Sequence, residues 1–161
     1  MRKAFLTSVF EYKAWANQAL LDVLDAAPES TNLAELARIR ITLDHTNVVD
    51  QLFKARIEGK PEPFTGVISP KTPSLTELRE VMRATDAWYV DFTCAASGAE
   101  LEEIVEFTFV DDRTRGRMSK GEMLGHVLTH ANSHRGAIGA TLGTLGLKAP
   151  ADMVTTFLHH R

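Results

Sequence analysis

The stretch SKGEMLGHVLTHANSHRGAIGATLGTLG, residues 119–146, predicts a long amphipathic helix. Ser119 and Glu122 form a capping-box pattern, which marks a helix N-terminus, and Gly146 marks a C-terminal stop. Between these signals the apolar residues recur at spacings of three and four and form one stripe. The stripe comprises Met123, Leu124, Val127, Ala131, Ile138, Leu142 and Leu145. Such a helix must bury its stripe against other elements.

Three other segments carry the same period, and with the first they predict an all-α fold, a four-helix bundle. They cover residues 2–26, about 32–58 and 74–96, and Gly59 ends the second. The predicted stripes are Phe5, Val9, Tyr12, Ala16, Leu20 and Val23, then Ile41, His45, Val48, Val49 and Leu52, then Leu78, Met82, Tyr89 and Phe92. Four such helices bury their stripes together, so residues 1–161 are expected to form one domain.

The connections between the helices carry two further predictions. The segment GKPEPFTGVISPKTPS, residues 59–74, is long enough to cross the bundle, so an up-down-up-down order is not required. Val105, Phe107 and Phe109 alternate before a polar turn and predict a short β-hairpin-like excursion before the last long helix. Pro150 is expected to open a short C-terminal helix.

Composition excludes several classes of function. The net charge of −3 gives no electrostatic reason to expect nucleic acid or an anionic membrane as partner. No apolar run approaches the roughly 20 residues that span a bilayer, and Glu11 and Lys13 lie too early for a signal peptide. Cys94, the single cysteine, excludes an intramolecular disulfide and fits a reducing compartment. We therefore expect a cytoplasmic protein.

Half of the six histidines lie four residues apart in the last long helix, at His126, His130 and His134. At roughly 100° per residue, His134 falls beside the apolar stripe, His130 borders it and His126 lies on the flank. Spacing of four residues lets His130 and His134 converge on one cation. His126 is expected to flank the site.

Two ligands make a weak site, so a third is expected from another helix. His45 is the candidate, because it lies at helical spacing among apolar residues; His159 and His160, at the C-terminus, are weaker candidates. The alternative is a hydrogen-bonded core histidine at 45 and a surface pair at 130 and 134. Spacing alone leaves both interpretations open.

The chain resembles the DinB/YfiT-like superfamily of metalloenzymes. The resemblance is carried by LDHTNVVDQLF, by GHVLTHANSHRG with its HxxxHRG motif, by YKAWANQALLDVL and by PADMVTTFLHH, which together extend over nearly the whole chain. It implies a four-helix bundle, often a homodimer, in which His45, His130 and His134 hold a divalent metal. Ala137 departs from the glutamine that often follows HRG in that family.

The resemblance also implies chemistry on a small molecule, either transfer of a low-molecular-weight thiol or hydrolysis. Three histidines leave coordination positions open, as in catalytic sites. Imidazole ligands suit zinc or nickel, and iron, manganese or copper are further candidates. The alternatives are a non-catalytic bundle stapled by the metal and a metal-free helical interaction protein.

No general base is evident, because the residues between the paired histidines include no HExxH glutamate. Asp44 and Asp50 are predicted to turn away from His45, as solvated or salt-bridged residues. Asp86 or Tyr89 could approach the pocket, although Tyr89 is expected in the core. Arg135 is expected to bind either an anionic substrate group or, as we favour, a carboxylate of another helix. The remaining predictions are that Cys94 is an inert packing residue and that Trp15 and Trp88 lie in the core or an interface.

Overall fold

The computed structural model describes residues 2–28 and 30–159, and 68% of the chain is helical. This part of the chain contains four long helices, two short ones and one antiparallel hairpin, which confirms the predicted all-α fold with a small β excursion. The elements are α1 Arg2–Asp25, α2 Leu33–Glu58, α3 Leu75–Ala95, α4 Gly98–Glu102, β1 Ile104–Thr108, β2 Arg115–Ser119, α5 Lys120–Thr144 and α6 Val154–His159. Across the described ranges, no helix is both long and apolar enough to cross a membrane.

Local sequence signals set the ends of the long helices. Asn32 caps α2 by accepting hydrogen bonds from two backbone N–H groups of its first turn, and Gly59 ends it with φ of 66°. Both predicted capping boxes are present, at the starts of α3 and α5. Gly146 follows α5 with φ of 73°, a left-handed conformation that glycine adopts without strain.

Helices α1 and α3 lie antiparallel. Arg79, near the start of α3, pairs with Asp22, near the end of α1. Lys13, in the middle of α1, pairs with Asp86, in the middle of α3. Helix α1 therefore rises where α3 descends.

Helices α2 and α3 run parallel, as two contacts at successive levels show. Leu43 and Met82 share one hydrophobic cluster, and further along both helices the Tyr89 hydroxyl donates to the backbone carbonyl of Asp50. Helix α5 is antiparallel to α2. The order is up-down-down-up, so the connection at residues 59–74 returns along the bundle, as its length allowed.

The buried faces of α1 and α2 correct the predicted stripes. Phe5 is 68% exposed and Ile41 is 42% exposed. Val9 and Val23 are only partly buried. The face of α1 that lies in the core also includes Phe10, Lys13, Asn17, Leu21 and Leu24. Two of these are polar, and the apolar pattern could not reveal them.

The predicted hairpin is present, and one glycine shapes it. β1 and β2 pair with Val105 opposite Met118 and Phe107 opposite Gly116. The Phe107 ring covers Gly116 so closely that an added Cβ would lie 2.4 Å from the ring's Cζ. A side chain at this position would force the Phe107 ring to shift.

The C-terminal segment differs from its prediction. Pro150 does not open the terminal helix, which begins at Val154. The Asp152 carboxylate, just before α6, accepts hydrogen bonds from the Tyr12 hydroxyl and from Arg135. These bonds hold residues 151–153 in a non-helical conformation against α1 and α5. The five-residue α4 was not predicted, being too short to carry a periodic pattern.

Candidate metal centre

His45 of α2 and the pair His130 and His134 of α5 meet inside the bundle. The Nε2 atom of His130 lies 3.1 Å from Nε2 of His45 and 3.1 Å from Nε2 of His134. One nitrogen from each ring lies within 4.8 Å of the other two. An ion held at about 2.0–2.1 Å from each nitrogen separates its ligand atoms by about 3 Å. The donor atoms and their spacing therefore fit a single divalent ion.

The loop between α2 and α3 orients the His45 ring. Nδ1 of His45 lies 2.8 Å from the carbonyl oxygen of Val67, so this nitrogen carries the proton and donates it. The lone pair of Nε2 is then directed toward the other two histidines. Such an outer hydrogen bond fixes the tautomer and orientation of a ligating histidine.

Burial favours the neutral form of the two histidines on α5. Burial, together with the nearby His134 and His45, lowers the pKa of His130 to about 4. Burial and His45 also lower the pKa of His134. Metal ions bind neutral imidazole, so proton competition at neutral pH is weak.

His126 lies beside this group and outside it, as predicted for a flanking residue. Its ring is 4.6 Å from the Phe53 ring and stacks on His130 at 5.4 Å, centroid to centroid. Burial and the charge of Arg56 lower the pKa of His126. His159, on α6, bonds its own helix instead, and His160 lies outside the described residues.

A cleft of about 180 Å³ opens next to His45 and His130. Its walls come from α2, from α5, from Val67 of the loop and from residues 109–111 at the hairpin tip. Apolar side chains form much of the wall, and Arg56 and His126 are among the polar ones. A small ligand placed there would contact the histidines directly.

The sequence model of the DinB family matches residues 1–161. The chain belongs to the DinB family. Protein DinB of Bacillus subtilis (strain 168) is 24% identical over 164 residues, which cover 92% of this chain and 91% of that protein. No solved structure gives a significant match. The family expected from the histidine motifs is thus confirmed.

This DinB-family chain carries a buried charge cluster that its sequence did not reveal. Lys13 Nζ lies 2.6 Å from Asp50 Oδ2 and 2.5 Å from Asp86 Oδ1. Asn17 donates to the other Asp86 oxygen at 2.9 Å. Burial lowers the pKa of Lys13, but the two carboxylates raise it by more. Burial raises the pKa of Asp50 to about 6.

The cluster corrects two predictions about aspartates. Asp50 is salt-bridged, as one alternative held, but it is buried and not solvated. Asp86 is engaged by Lys13 and Asn17 and is absent from the cleft lining. The Lys13 charge also lowers the pKa of His130, so the cluster acts on the histidines electrostatically. The apolar pattern of α1 would indicate that Lys13 is buried only if the buried face of that helix were already known.

The other candidates have structural contacts. Asp44 is buried, where a solvated or salt-bridged residue was predicted, and accepts hydrogen bonds from the N–H and hydroxyl of Ser69. Tyr89 lies in the core, as expected. Arg135 is buried and paired with Asp152, a carboxylate of the C-terminal segment and not of another helix. Trp15 and Trp88 are both half-buried. Trp15 contacts Tyr12 and Phe157, and Trp88 contacts Tyr89 and Phe92.

Cys94 and Ala137 both lie on the surface. Cys94 is exposed, so its prediction as a packing residue is wrong. Ala137 is exposed on α5. Having alanine in place of the family's glutamine therefore removes no buried contact from this chain.

Proposed function

We propose that this DinB-family chain is a metal-dependent enzyme that acts on a small molecule. His45, His130 and His134 would hold the ion, and the observation that carries the proposal is the convergence of their three Nε2 atoms. We propose zinc or nickel as the ion, since both suit neutral imidazole ligands, with iron, manganese or copper as alternatives. Three protein ligands leave room for a further ligand.

Among the two reactions, the contacts favour thiol transfer over hydrolysis. A bound divalent ion would supply the positive charge that lowers the pKa of a thiol or a water molecule. Hydrolysis usually also uses a general base, but the three aspartates that the sequence offered are engaged: Asp44 by Ser69, and Asp50 and Asp86 by Lys13. Asp111 lines the cleft from the exposed tip of the hairpin. A low-molecular-weight thiol requires no such base once it is ionised.

Elemental analysis tests the ion-binding part of the proposal. We expect about one equivalent of metal in the native protein and in His126→Ala, and loss of it in His130→Ala. His126→Ala is the matched control, because it removes a neighbouring imidazole of the same helix. Absence of metal from native protein after incubation with each candidate ion would refute the site.

Enzyme activity requires a separate assay. The metal-loaded protein is mixed with several low-molecular-weight thiols and a chlorinated aromatic electrophile, and thioether formation is followed by absorbance. We expect activity that is lost in His130→Ala. Bound metal without activity toward any thiol would favour the alternative, a bundle stapled by its ion.

We further propose a homodimer, on the family resemblance alone, and a cytoplasmic location, because a single cysteine fits a reducing compartment. Light scattering on the native protein, as it elutes from a size-exclusion column, measures its mass directly. We expect twice the monomer mass, and a monomer at micromolar concentration would contradict the proposal.

A further inference from the structure

Arg56 is a buried cation at the end of the cleft away from His45. It is 6% exposed, and its Nε donates to Glu62 Oε1 at 2.7 Å. Its Cζ lies 4.1 Å from the ring centroid of Phe107, 4.8 Å from that of Phe53 and 5.5 Å from that of Phe109. Three aromatic rings and one carboxylate therefore fix the guanidinium in place.

The end of this side chain has donors to spare. A guanidinium has five N–H donors, and within residues 2–28 and 30–159 the only hydrogen bond of Arg56 is the one from Nε to Glu62. Both Nη groups lack a protein acceptor there, while Arg56 lines the same cleft as His45 and His130. Planar pairs of N–H groups match the two oxygens of a carboxylate.

The charges around the cleft favour an anion. The Arg56 cation faces the cleft, and a metal ion held by the histidines would add further positive charge. Glu62 is bonded to Nε of Arg56. Asp111, the acid that lines the cleft, is exposed at the hairpin tip. Water screens an exposed carboxylate more than it screens a buried guanidinium.

We infer that Arg56 selects substrates that carry a carboxylate, which its two Nη groups bind while the other end of the molecule faces His45 and His130. This inference rests on the proposed function for that second end only. It assigns the specificity of the cleft to a residue outside the histidine group.

The dimensions of the cleft restrict the substrate further. Eleven residues of α2 separate His45 from Arg56, about 16 Å at 1.5 Å per residue, and both side chains reach into that distance. The volume of about 180 Å³ is close to the 150 Å³ or so that holds one benzene molecule. A short linear acid fits within this volume.

The first experiment uses metal-free protein, so it does not depend on the proposed chemistry. Butyrate and its uncharged counterpart butyramide are titrated at constant ionic strength, and binding is followed by NMR shifts of the histidine rings. We expect butyrate to bind at least tenfold more tightly, because a carboxylate forms stronger hydrogen bonds with a guanidinium than a neutral amide oxygen does. Equal binding of the two ligands to the native protein would overturn the inference.

Two variants separate recognition of the carboxylate by Arg56 from anchoring of the loop by the bond between Arg56 and Glu62. Arg56→Gln removes the guanidinium and the ion pair, and should abolish the preference for butyrate. Glu62→Gln breaks the same ion pair but keeps the guanidinium, and should retain the preference. Loss of the preference in both variants would mean that the anchored loop, and not Arg56, recognises the anion.

The second experiment uses cobalt(II)-loaded protein and a series of ω-mercapto acids with their mercapto-alcohol counterparts. Thiolate binding to cobalt is read from its charge-transfer absorption. We expect the acids to bind about tenfold more tightly at one optimal chain length, and this advantage to vanish in Arg56→Gln. A butyrate preference without any thiolate band would refute the proposed thiol chemistry and leave the Arg56 assignment standing.

Discussion

Nδ1 of His45 lies 2.8 Å from the backbone carbonyl oxygen of Val67, and this contact couples the site to a loop. The same loop is tied to α2 on either side of that carbonyl, by Glu62 bonded to Arg56 and by Ser69 bonded to Asp44. The loop is therefore part of the site, although it contributes no ligating side chain.

Loosening the loop should weaken metal binding. Asp44→Ala removes both bonds to Ser69, so we expect the affinity for zinc to fall about tenfold, the lower end of the usual effect of outer partners. Competition with a chromophoric chelator measures it. Ser69→Ala keeps the bond from its backbone N–H to Asp44 and should have a smaller effect; an unchanged affinity in Asp44→Ala would show that His45 does not need the loop.

Metal should protect the fold through the three histidines. At a zinc concentration about 100 times Kd, binding stabilises the folded state by about 2.7 kcal/mol. For a domain of this size that raises Tm by about 5–10 °C. Differential scanning fluorimetry should show this shift in native protein and in His126→Ala, and none in His130→Ala. A shift of equal size in His130→Ala would place the ion elsewhere.

The buried cluster should tolerate loss of an acid better than loss of its base. Lys13→Met leaves two buried carboxylates facing each other and should lower the free energy of unfolding by about 3–5 kcal/mol. Asp50→Asn leaves Lys13 paired with Asp86 and should cost much less. Urea denaturation of the two variants at pH 7 compares them, and equal losses would contradict a shared base.

The same cluster predicts a dependence on pH. Burial raises the pKa of Asp50 to about 6 from 3.8, so the folded state binds this proton more tightly than the unfolded state. Its contribution to stability is complete below pH 3.8 and is lost as the pH rises through 6. In metal-free protein, we therefore compare the free energy of unfolding of the native protein with that of Asp50→Asn. The native value minus the variant value should be larger at pH 5 than at pH 7. The opposite trend would mean that pairing with Lys13 outweighs burial.

The hairpin should be sensitive to one methyl group. Gly116→Ala places a Cβ against the Phe107 ring, and overpacking of this kind costs about 1–3 kcal/mol. Gly125→Ala is the control, because an added Cβ in α5 meets nothing within 4 Å and should stabilise the helix by about 0.5–1 kcal/mol. Thermal unfolding of both variants tests the contrast; a neutral Gly116→Ala would mean that the ring moves freely.

The sequence was sufficient wherever a signal is local. The capping boxes at Ser74 and Ser119 and the stop at Gly59 depend on neighbouring residues only, and each lies where the pattern put it. The face of α5 was also correct, because its stripe is almost wholly apolar. These features placed His130 and His134 correctly relative to the core.

Polar residues in the core explain most of what was missed. Lys13 and Asn17 occupy buried positions of α1 because partners on α2, α3 and α5 satisfy them, and no pattern within α1 contains those partners. Asp44 appeared solvated because its partner Ser69 lies 25 residues away in an irregular loop. The start of α6 was misplaced because Asp152 is held by Tyr12 and Arg135, both distant in sequence.

The Lys13, Asp50 and Asp86 cluster also restricts how this chain can diverge. Replacement of the lysine by an uncharged residue leaves two buried carboxylates without a counter-charge, which is among the costliest states a core can adopt. Descendants that lose this positive charge must therefore change at least two of the three positions together, or pass through a replacement of an acid first. Among relatives that keep this bundle, the residue at position 13 should covary with those at 50 and 86, even though the three belong to three different helices.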